Sequence, residues 1–478
     1  MNYKRVLHTL GIVLCFEALS MLLPLLCALI YKEQTVVPFL ESIFLCLAFG
    51  LCLIMIKGKS KEIYAKEGLI IVGLSWILMS VFGAFPFVFS KSIPDYILAL
   101  FETVSGFTTT GATILSDVES LPKSILFWRS FTHWIGGMGV LVFLIALLPM
   151  SGGSNLFLMK AESPGPTVTK LVPKVKASAK ILYYIYIVLT ILQIFFLCLG
   201  KMDLFEAVTH SFATAGTGGF GIKNSGLAEY SPYIQNVITI FMILFGVNFS
   251  VYYLILIKKF KLIFKSSEVK TYFGIIIISA LLIFVNCFKI YGSVGETLRH
   301  SFFQVASIIT TTGFATTDFN LWPELSKTIL LLLMFVGACA GSTGGGIKVS
   351  RIMIFLKSIG KEISQASHPK MIKKTLIDGR PVDHETVRTV NVYMAAYLSV
   401  FVVSILIISI ENFDFTTNFT TVATTINNVG PGFSLVGPME NFSIFSRFSL
   451  IVLIFDMLIG RLEIFPLLAL FSVYTWKK

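Results

Sequence analysis

The stretch Thr108-Thr109-Thr110-Gly111-Ala112-Thr113 recurs almost unchanged as Thr310-Thr311-Thr312-Gly313-Phe314-Ala315-Thr316. Two looser copies are Ala213-Thr214-Ala215-Gly216-Thr217-Gly218-Gly219-Phe220 and Thr424-Thr425-Ile426-Asn427-Asn428-Val429-Gly430-Pro431-Gly432. Such Thr/Gly-rich stretches form poor helices and poor strands, because Gly costs backbone entropy and Thr is stiff at χ1. They suit an extended backbone whose carbonyl groups face a ligand. The repetition predicts four related loops with one shared structural role.

The composition places the chain in the membrane class. It has 478 residues, of which 55% are hydrophobic and 13% charged, whereas soluble domains contain about 25% charged residues. The mean hydropathy is +0.83. The formal net charge of +12 comes from Lys and Arg clusters between the apolar segments, as the positive-inside rule expects of cytoplasmic loops. This distribution argues against a nucleic-acid-binding protein.

The N-terminal segment is interpreted as a retained membrane span. The apolar run from Val6 to Ile30 is longer than a signal-peptide core and lacks a small-residue cleavage pattern. A second span is predicted at Phe39 to Ile56. Glu17 and Glu41 interrupt these two spans, and intramembrane carboxylates usually face protein rather than lipid. Seven cysteines show no paired spacing, so we expect small buried side chains rather than disulfides or a metal site.

A four-part unit follows this N-terminal pair and occurs four times. About 20 apolar residues cross a bilayer, so the first unit has a long span at Gly68 to Phe89, a half-span at Asp95 to Phe107, a Thr/Gly loop, and a return span at Ile125 to Met150. The later long spans are Ile181 to Leu199, Tyr272 to Phe288 and Val390 to Ile410. Their half-spans are Leu204 to Phe212, Thr297 to Ile309 and Phe415 to Thr425. Their return spans are Ile234 to Ile257, a span beginning at Ile329 to Ala340, and Leu450 to Val473.

The predicted fold is therefore an all-α polytopic membrane protein with ten spans and both termini in the cytoplasm. Two extra N-terminal helices occupy residues 1–66, and the four units occupy residues 67–175, 176–266, 267–387 and 388–478. Basic clusters fall in all the predicted cytoplasmic loops, whereas the outer connections are richer in Asp and Glu. An acidic outer face concentrates cations at a pore mouth; the alternative is that these acids are ordinary solvated loop residues.

Four half-spans with polar loops predict a pore. Non-helical backbone at membrane depth must be buried in protein or line water, because lipid cannot satisfy its polar groups. Four loops around one axis present carbonyl rows that replace the hydration shell of a monovalent cation, and each half-helix points its partly negative C-terminal end at the centre. The predicted ion-binding residues are Thr109, Thr110, Gly111, Gly218, Gly219, Thr311, Thr312, Gly313, Asn428, Val429 and Gly430.

Two further features lie along the predicted path. The segment Gly341-Ser342-Thr343-Gly344-Gly345-Gly346 interrupts the third return span, and it predicts a mobile gate under the loops; the alternative is a kink or close helix packing. Arg461 falls within the last span. An intramembrane Arg is a functional candidate, here a barrier to cations, with inward snorkelling or a salt bridge to Asp456 or Glu463 as the alternatives.

Four other features are interpreted as structural. His133, His210 and His300 lie near span ends without ligand spacing. Gly136-Gly137-Met138-Gly139 is expected to permit close helix packing.

These motifs resemble the Trk/Ktr/HKT superfamily of potassium transporters, most closely the membrane-subunit branch of the bacterial Trk system (TrkH/TrkG type). The resemblance covers essentially the whole chain. It is carried by the four loops, the segment from Gly341 to Lys348, and Gly460-Arg461-Leu462-Glu463. The two extra N-terminal spans, His368-Pro369 and Gly379-Arg380-Pro381-Val382 favour the Trk branch. Gly216 departs from the pattern, which has a larger residue there.

The resemblance implies four M1–P–M2 units (helix, re-entrant pore loop, helix) around one potassium pore in each protomer of a homodimer. It implies a bacterial inner-membrane location and a cytoplasmic nucleotide-binding partner of the TrkA type. It makes K⁺ the ion in the loops, the segment from Gly341 to Gly346 with Lys348 an intramembrane gate, and Arg461 a pore-lining residue. The loops are shorter than the Thr-Val-Gly-Tyr-Gly filter of potassium channels, so fewer ion sites and weaker discrimination against sodium are expected.

Two other functions remain to be weighed against potassium uptake. A sodium-coupled or proton-coupled potassium symporter of the same fold differs in requiring the coupling ion. A membrane enzyme or sensor scaffold would need a polar catalytic cluster at membrane depth, and the sequence offers no His/Asp/Glu constellation of that kind.

Overall fold

A computed structural model describes residues 2–56, 64–139, 175–371 and 374–476 of the chain. Throughout these ranges the fold is helical, with one short cytoplasm-predicted hairpin. The predicted all-α fold class is confirmed. The basic clusters at Lys57, Lys59 and Lys61 and at Lys160, Lys170 and Lys174 lie outside the described residues, as does the predicted return span beyond Gly139.

The N-terminal pair packs tightly. Helix α1 (Tyr3–Ser20) runs into α2 (Leu22–Tyr31), and α3 (Val36–Ile54) returns beside α1. A Cβ added to Gly11 would lie 2.6 Å from the carbonyl oxygen of Gly50, so these glycines allow the two backbones to touch. Glu17 is fully buried, as expected. Glu41 lies on an exposed face of α3, so the expectation that it faces protein is wrong within this chain.

Each of the four units supplies a long first helix, a half-helix and a second helix. The first helices are α4 (Ala65–Gly83, continued by α5, Phe85–Phe89), α8 (Val175–Leu199), α13 (Ser267–Tyr291) and α17 (His384–Ile408). The half-helices are α6 (Tyr96–Phe107), α9 (Leu204–Gly216), α14 (Val294–Ile309) and α18 (Phe415–Ile426). The second helices are α7 (Lys123–Met138), α10 (Pro232–Phe245), α15 (Glu324–Val336) and α19 (Arg447–Arg461).

Acidic residues of the connecting loops start three of the half-helices. The carboxylates of Asp95, Asp203 and Asp414 accept hydrogen bonds from backbone N–H groups of the first turns of α6, α9 and α18. Such caps satisfy N–H groups that have no partner within the helix. Asp203 and Asp414 therefore cap helices, whether or not they also contribute to the predicted acidic outer face.

The second helices are shorter than the predicted return spans. The predicted span Ile234 to Ile257 is wrong as a continuous helix, because α10 and α11 (Phe249–Leu256) meet at an angle of 90°. The predicted span Leu450 to Val473 is also interrupted, because α19 ends at Arg461 and α20 (Phe465–Phe471) follows. The predicted break of the third span is present: α15 ends at Val336, and α16 (Val349–Ser367) follows the glycine segment. Helix α7 ends before Gly139, whose φ is 81°.

Length and composition qualify six described helices as membrane spans. A seventh is added if the bent pair α10 and α11 is one span. The remaining second helices have 16, 13 and 15 residues, fewer than the roughly 20 that cross a bilayer. In α15 and α19 the shortfall reflects the breaks after Val336 and Arg461.

Helix contacts arrange the four units in a closed ring. Each second helix packs against the half-helix of the following unit: α7 on α9, α10 on α14, α15 on α18, and α19 on α6. The last contact joins the end of the chain to the first unit. The ends of the half-helices consequently meet near one axis.

The remaining described elements are short. Helices α12 (Phe260–Ile263) and α21 (Val473–Trp476) flank the second and fourth units. Strands β1 (Leu376–Ile377) and β2 (Arg380–Pro381) form an antiparallel hairpin between α16 and α17, in which Leu376 pairs with Pro381 and Ile377 with Arg380.

Candidate ion pore

All four half-helices end in the same backbone turn. The first or second residue after each half-helix adopts a left-handed conformation, with φ between 54° and 58° for Thr109, Thr217, Thr311 and Asn428. The next N–H then donates back to the carbonyl five residues earlier, at 2.8–2.9 Å; these donors are Thr110, Gly218, Thr312 and Val429. This is the Schellman pattern of helix termination. The four loops differ in sequence but share one backbone geometry.

The shared geometry gives the register of the four copies. The equivalent triplets are Thr109–Gly111, Thr217–Gly219, Thr311–Gly313 and Asn428–Gly430. Eleven of these twelve residues were predicted from the sequence as ion-binding residues; Thr217 was missed. Its copy lacks the Thr-Thr-Gly string, so sequence alone gave no register there.

The final glycines connect the triplets into a closed ring. Their φ values are 81°, 75°, 82° and 99° for Gly111, Gly219, Gly313 and Gly430. A Cβ added to each would collide with the carbonyl oxygen of the middle residue of the next triplet, at 2.0 Å (Gly111 to Gly218), 1.9 Å (Gly219 to Thr312), 2.2 Å (Gly313 to Val429) and 2.7 Å (Gly430 to Thr110). The fourth contact returns to the first unit. We call the twelve residues of the four triplets the carbonyl ring.

Hydroxyl and amide groups brace the carbonyl ring from behind. The hydroxyls of Thr108 and Thr110 lie 2.8 Å apart, and those of Thr310 and Thr312 lie 2.7 Å apart. In the fourth unit, Asn428 Nδ2 donates to Thr110 Oγ1 and to the Met457 carbonyl, both at 2.9 Å. The amide thus links the fourth triplet to the first, a contact that a Thr side chain is too short to make in both directions.

His133 supports two loops, although the sequence suggested no role for it beyond packing. Its Nδ1 lies 2.7 Å from the Gly106 carbonyl, and its Nε2 accepts from the Phe220 N–H at 3.3 Å. This pair of partners requires a neutral imidazole with the proton on Nδ1. A Cβ on Gly218 would meet the His133 ring at 2.3 Å, and one on Gly216 would meet the His133 carbonyl at 2.2 Å. The unexpected Gly216 is therefore required by this close approach.

The predicted packing role of Gly136 and Gly137 agrees with their contacts. A Cβ on Gly136 would lie 1.8 Å from the Phe107 carbonyl oxygen, and one on Gly137 would lie 2.6 Å from the Gly216 Cα. The end of α7 therefore presses against the ends of both α6 and α9.

A buried ion pair joins the outer ends of the first two loops. Arg129 and Glu102 lie 2.8 Å apart and are 2% and 1% exposed. Glu102 also accepts from the Thr113 hydroxyl and the Ile114 N–H, each at 3.0 Å. Arg129 donates to the Gly221 carbonyl at 3.1 Å, and its guanidinium lies 4.0 Å from the centre of the Phe220 ring. Sequence analysis missed this pair; a carboxylate inside an apolar half-span was the available signal.

An outer cavity of about 180 Å³ lies on one side of the carbonyl ring. All four final glycines line it, and its rim includes Glu440 and Asn441. Asp117 lies between Ser116 and Val118, which both line the cavity. Asn224 Nδ2 donates to its carboxylate at 2.8 Å. This hydrogen bond is the main cause that holds the pKa of Asp117 below its ordinary value. The carboxylate is therefore ionised throughout the physiological range.

The glycine segment lies against the opposite side of the ring. We call residues 337–348 the gate loop. The Gly345 N–H donates to Thr311 Oγ1 at 2.6 Å. A Cβ on Gly344 would lie 2.9 Å from the Thr310 carbonyl oxygen, and one on Gly345 would lie 2.5 Å from that of Asn427. The side chain of Lys348, 2% exposed, donates from Nζ to the Gly344 carbonyl.

Arg461 connects the gate loop to the first unit. Its guanidinium donates to Thr109 Oγ1 at 3.2 Å, to the Thr343 carbonyl at 2.8 Å, and to the carbonyls of Gly136 and Gly137 at 2.5 and 2.6 Å. The two acids weighed as salt-bridge partners are engaged elsewhere. Asp456 accepts from the Ser404 hydroxyl at 2.7 Å, and Glu463 pairs with Arg351.

The chain resembles known proteins over its whole length. The family model described as TrkH, cation transport protein, matches residues 37–291 and 288–476. The Trk system potassium uptake protein TrkH of Escherichia coli K12 is 36% identical over 488 residues, covering all of both chains. TrkG of the same organism is 35% identical, covering 99% of that protein. The crystal structure of the potassium transporter TrkH from Vibrio parahaemolyticus matches with a TM-score of 0.90 and 32% identity, covering all of both chains.

Proposed function

The chain belongs to the TrkH family of cation transport proteins, and from this we propose that it takes up potassium through the carbonyl ring. Relatives named as Trk potassium uptake proteins support potassium as the transported ion. The observation that carries the proposal is the cyclic contact of the four final glycines with the carbonyls of the next unit. Such a closed set of backbone carbonyls is what a partly dehydrated cation needs.

In this proposal K⁺ enters from the outer cavity and binds in the ring. The binding residues are Thr109, Thr110, Gly111, Thr217, Gly218, Gly219, Thr311, Thr312, Gly313, Asn428, Val429 and Gly430. Carbonyl oxygens replace water around the ion, and the C-terminal ends of α6, α9, α14 and α18 add a negative potential. The electrochemical gradient drives conduction, so the chain performs no covalent chemistry.

The gate loop closes the path below the ring in the same proposal. Gly341, Ser342, Thr343, Gly344, Gly345, Gly346 and Lys348 form the obstruction, and Arg461 adds a positive charge beside it. Support comes from the contact of Gly345 with Thr311 and of Arg461 with Thr343. Opening requires these hydrogen bonds to break or to move together.

The proposed setting is the inner membrane of a bacterium, with both termini in the cytoplasm. The chain would act as a homodimer with one pore per protomer, regulated by a nucleotide-binding subunit of the TrkA type. Naming of relatives as parts of a Trk system supports such a subunit. Lipid is the other partner, and no nucleic acid is involved.

Growth rescue tests this function directly. The chain is expressed in a bacterium that lacks potassium uptake, with and without a TrkA-type subunit, and growth is followed at low potassium. Rescue is expected with the subunit. It should persist in Gly274→Ser, because nothing lies within 4 Å of a Cβ at that position. Failure of the well-expressed chain to rescue in either condition would refute potassium uptake.

The alternative proposal is a coupled symporter of the same fold. It is separated from uniport by measuring ⁸⁶Rb⁺ uptake in vesicles with external sodium removed and with external pH varied at a fixed membrane potential. Uptake that persists without sodium and does not follow the proton gradient supports the uncoupled pore.

A further inference from the structure

Three hydrogen bonds join Cys339, Ala340 and Gly341 of the gate loop to segments outside the loop. Two are formed between backbone groups: Cys339 N–H to the Gly246 carbonyl at 3.1 Å, and Phe249 N–H to the Gly341 carbonyl at 3.0 Å. The third comes from a side chain, because Glu268 Oε1 accepts from the Ala340 N–H at 2.7 Å. A charged acceptor makes the strongest kind of hydrogen bond to a backbone N–H. Glu268 is thus the side chain that holds the Ala340 backbone in place.

Glu268 occupies the second position of α13, and the first position is bonded to a different part of the chain. The Ser267 N–H donates to Asp378 Oδ1 at 2.6 Å. Asp378 and Gly379 form the turn of the β1–β2 hairpin, with φ values of 51° and 75°. Adjacent residues of one helix start therefore bind the gate loop and the hairpin.

The hairpin is also tied to the helix that follows the gate loop. Lys357 Nζ, on α16, donates to the Leu376 carbonyl of β1 at 2.8 Å. The hairpin thereby joins α13, which binds the gate loop through Glu268, to α16, which follows the gate loop. The hairpin itself is exposed at Leu376, Arg380 and Pro381, so it is accessible to other molecules.

We propose that Glu268 is a latch on the gate loop and that the β1–β2 hairpin controls this latch through the Asp378–Ser267 hydrogen bond. Glu268 is a positioning residue, because it acts on the loop and not on the ion. Withdrawing Asp378 leaves the Ser267 N–H without its carboxylate acceptor and loosens the helix start that carries Glu268. The inference rests on the proposed gate function of residues 337–348.

Accessibility of Cys339 measures the latch without relying on ion transport. Cys339 lies in the gate loop next to Ala340 and is fully buried. The other six cysteines are replaced by Ala, and the labelling rate of Cys339 by a small charged thiol reagent is measured in purified full-length protein. In Glu268→Ala we expect the rate to rise about ten- to hundredfold, the range that corresponds to loss of one charged hydrogen bond.

Two variants distinguish positioning from general damage. Glu385 is the second residue of α17, the equivalent helix of the fourth unit, and it is exposed; Glu385→Ala is expected to leave the rate unchanged. Glu268→Gln keeps a neutral carbonyl acceptor and is expected to be labelled more slowly than Glu268→Ala. Equal rates in Glu268→Ala and Glu385→Ala would overturn the latch. If Glu268→Ala does not accumulate, Glu268→Asp, whose shorter side chain cannot reach Ala340, takes its place.

The contribution of the hairpin has its own comparison. Asp378→Ala is expected to accelerate Cys339 labelling, whereas Asp378→Asn retains an acceptor and tolerates the positive φ, so it should resemble the parent. Adding Asp378→Ala to Glu268→Ala should produce little further increase, because both act through one bond. Full additivity of the two effects would overturn the coupling.

Ion flux measured beside labelling separates this inference from the proposed gate. Faster labelling with unchanged ⁸⁶Rb⁺ flux in Glu268→Ala would leave the latch standing and refute the gate function of the loop. Faster labelling with raised flux supports both.

Discussion

At the residue scale, four glycines are constrained twice. Gly111, Gly219, Gly313 and Gly430 have positive φ, and each also touches a carbonyl of the next unit. Either condition alone disfavours a side chain; together they leave no other residue that fits. The two loops with the least similar sequences, at Gly219 and Gly430, are constrained in the same way.

Replacing Gly313 by Ser is the sharpest test of the carbonyl ring. The new Cβ would lie 2.2 Å from the Val429 carbonyl oxygen, so that oxygen must move and no longer matches potassium. We expect the preference for potassium over sodium to fall about tenfold, which is about 1.4 kcal/mol. Competition of Na⁺ with ⁸⁶Rb⁺ uptake measures it. Gly274→Ser in the same unit is the control, and an unchanged preference in Gly313→Ser and Gly111→Ser would refute the ion-binding assignment.

The buried pair of Arg129 and Glu102 stabilises the first two loops only while both members are present. Each accepts or donates further hydrogen bonds to backbone or hydroxyl groups of the loops. Burial makes an unpaired charge costly, and removing one member of such a pair costs about 3–5 kcal/mol.

Arg129→Met is therefore expected to lower the free energy of unfolding by an amount in that range. The double change Arg129→Met with Glu102→Gln should cost less than the sum of the two single changes, because no charge is left unpaired. Thermal unfolding of the purified protein in detergent measures both. Additive single effects would show that the two side chains do not stabilise one another.

At the element scale, three of the described second helices, α10, α15 and α19, are each followed by a break. The third is interrupted by a glycine segment, and this break was predicted. In the fourth, Glu463 and Ile464 have φ values of 59° and 67°, a strained conformation for a β-branched residue. The ion pair of Glu463 with Arg351, whose guanidinium lies 4.1 Å from the Tyr393 ring centre, holds that turn.

Arg461 lies at the end of the fourth second helix and bonds three other elements. Arg461→Ala removes donors to Thr109 and Thr343 and one positive charge from the proposed path. We expect ⁸⁶Rb⁺ flux to rise several-fold, about 1 kcal/mol in barrier height, and to depend less on the regulatory subunit. Arg388→Ala, at an exposed position of α17 in the same unit, is the comparison. A lower flux in Arg461→Ala would count against a barrier function.

At the scale of the whole molecule, the chain closes a ring by packing each second helix on the next half-helix. The contact of α19 with α6 joins the last unit to the first, and Asn428 bonds Thr110 across the same junction. The outer cavity is therefore shared by all four units, and its electrostatic potential is a property of the assembled chain.

Asp117, whose two chain neighbours line the cavity, provides a test of that potential. Its pKa is lowered by the hydrogen bond from Asn224, so its charge is lost only when pH falls below the ordinary range for Asp, near about 3.9. We expect the apparent affinity for external potassium to show no Asp117-dependent change between about pH 7 and pH 5. Asp117→Asn should weaken that affinity about twofold at low ionic strength and much less at high ionic strength, because salt screens exposed charges.

Initial uptake rates against external potassium measure this effect at the two ionic strengths. Asp383→Asn, an exposed Asp next to the hairpin, is the matched control. A change in affinity that is insensitive to ionic strength would show that Asp117 acts by local structure and not by charge.

The sequence by itself determined the membrane class, the half-spans, the break at Gly341 to Gly346 and the four final glycines. These features follow from local properties: hydropathy over about 20 residues, and the backbone preferences of Gly and Thr. The family resemblance also rests on local motifs, and the full-length matches confirm it.

Only the tertiary structure decided which residues meet. The equivalence of Thr217 and Asn428 to Thr109, the support from His133, the Arg129–Glu102 pair and the breaks of the second and fourth return helices all depend on contacts between units. An apolar run looks the same to hydropathy whether its helix is straight or bent, because the partners that satisfy the opened backbone lie on other segments. Packing between units places each final glycine against a carbonyl of the next triplet, and no local sequence pattern predicts this arrangement.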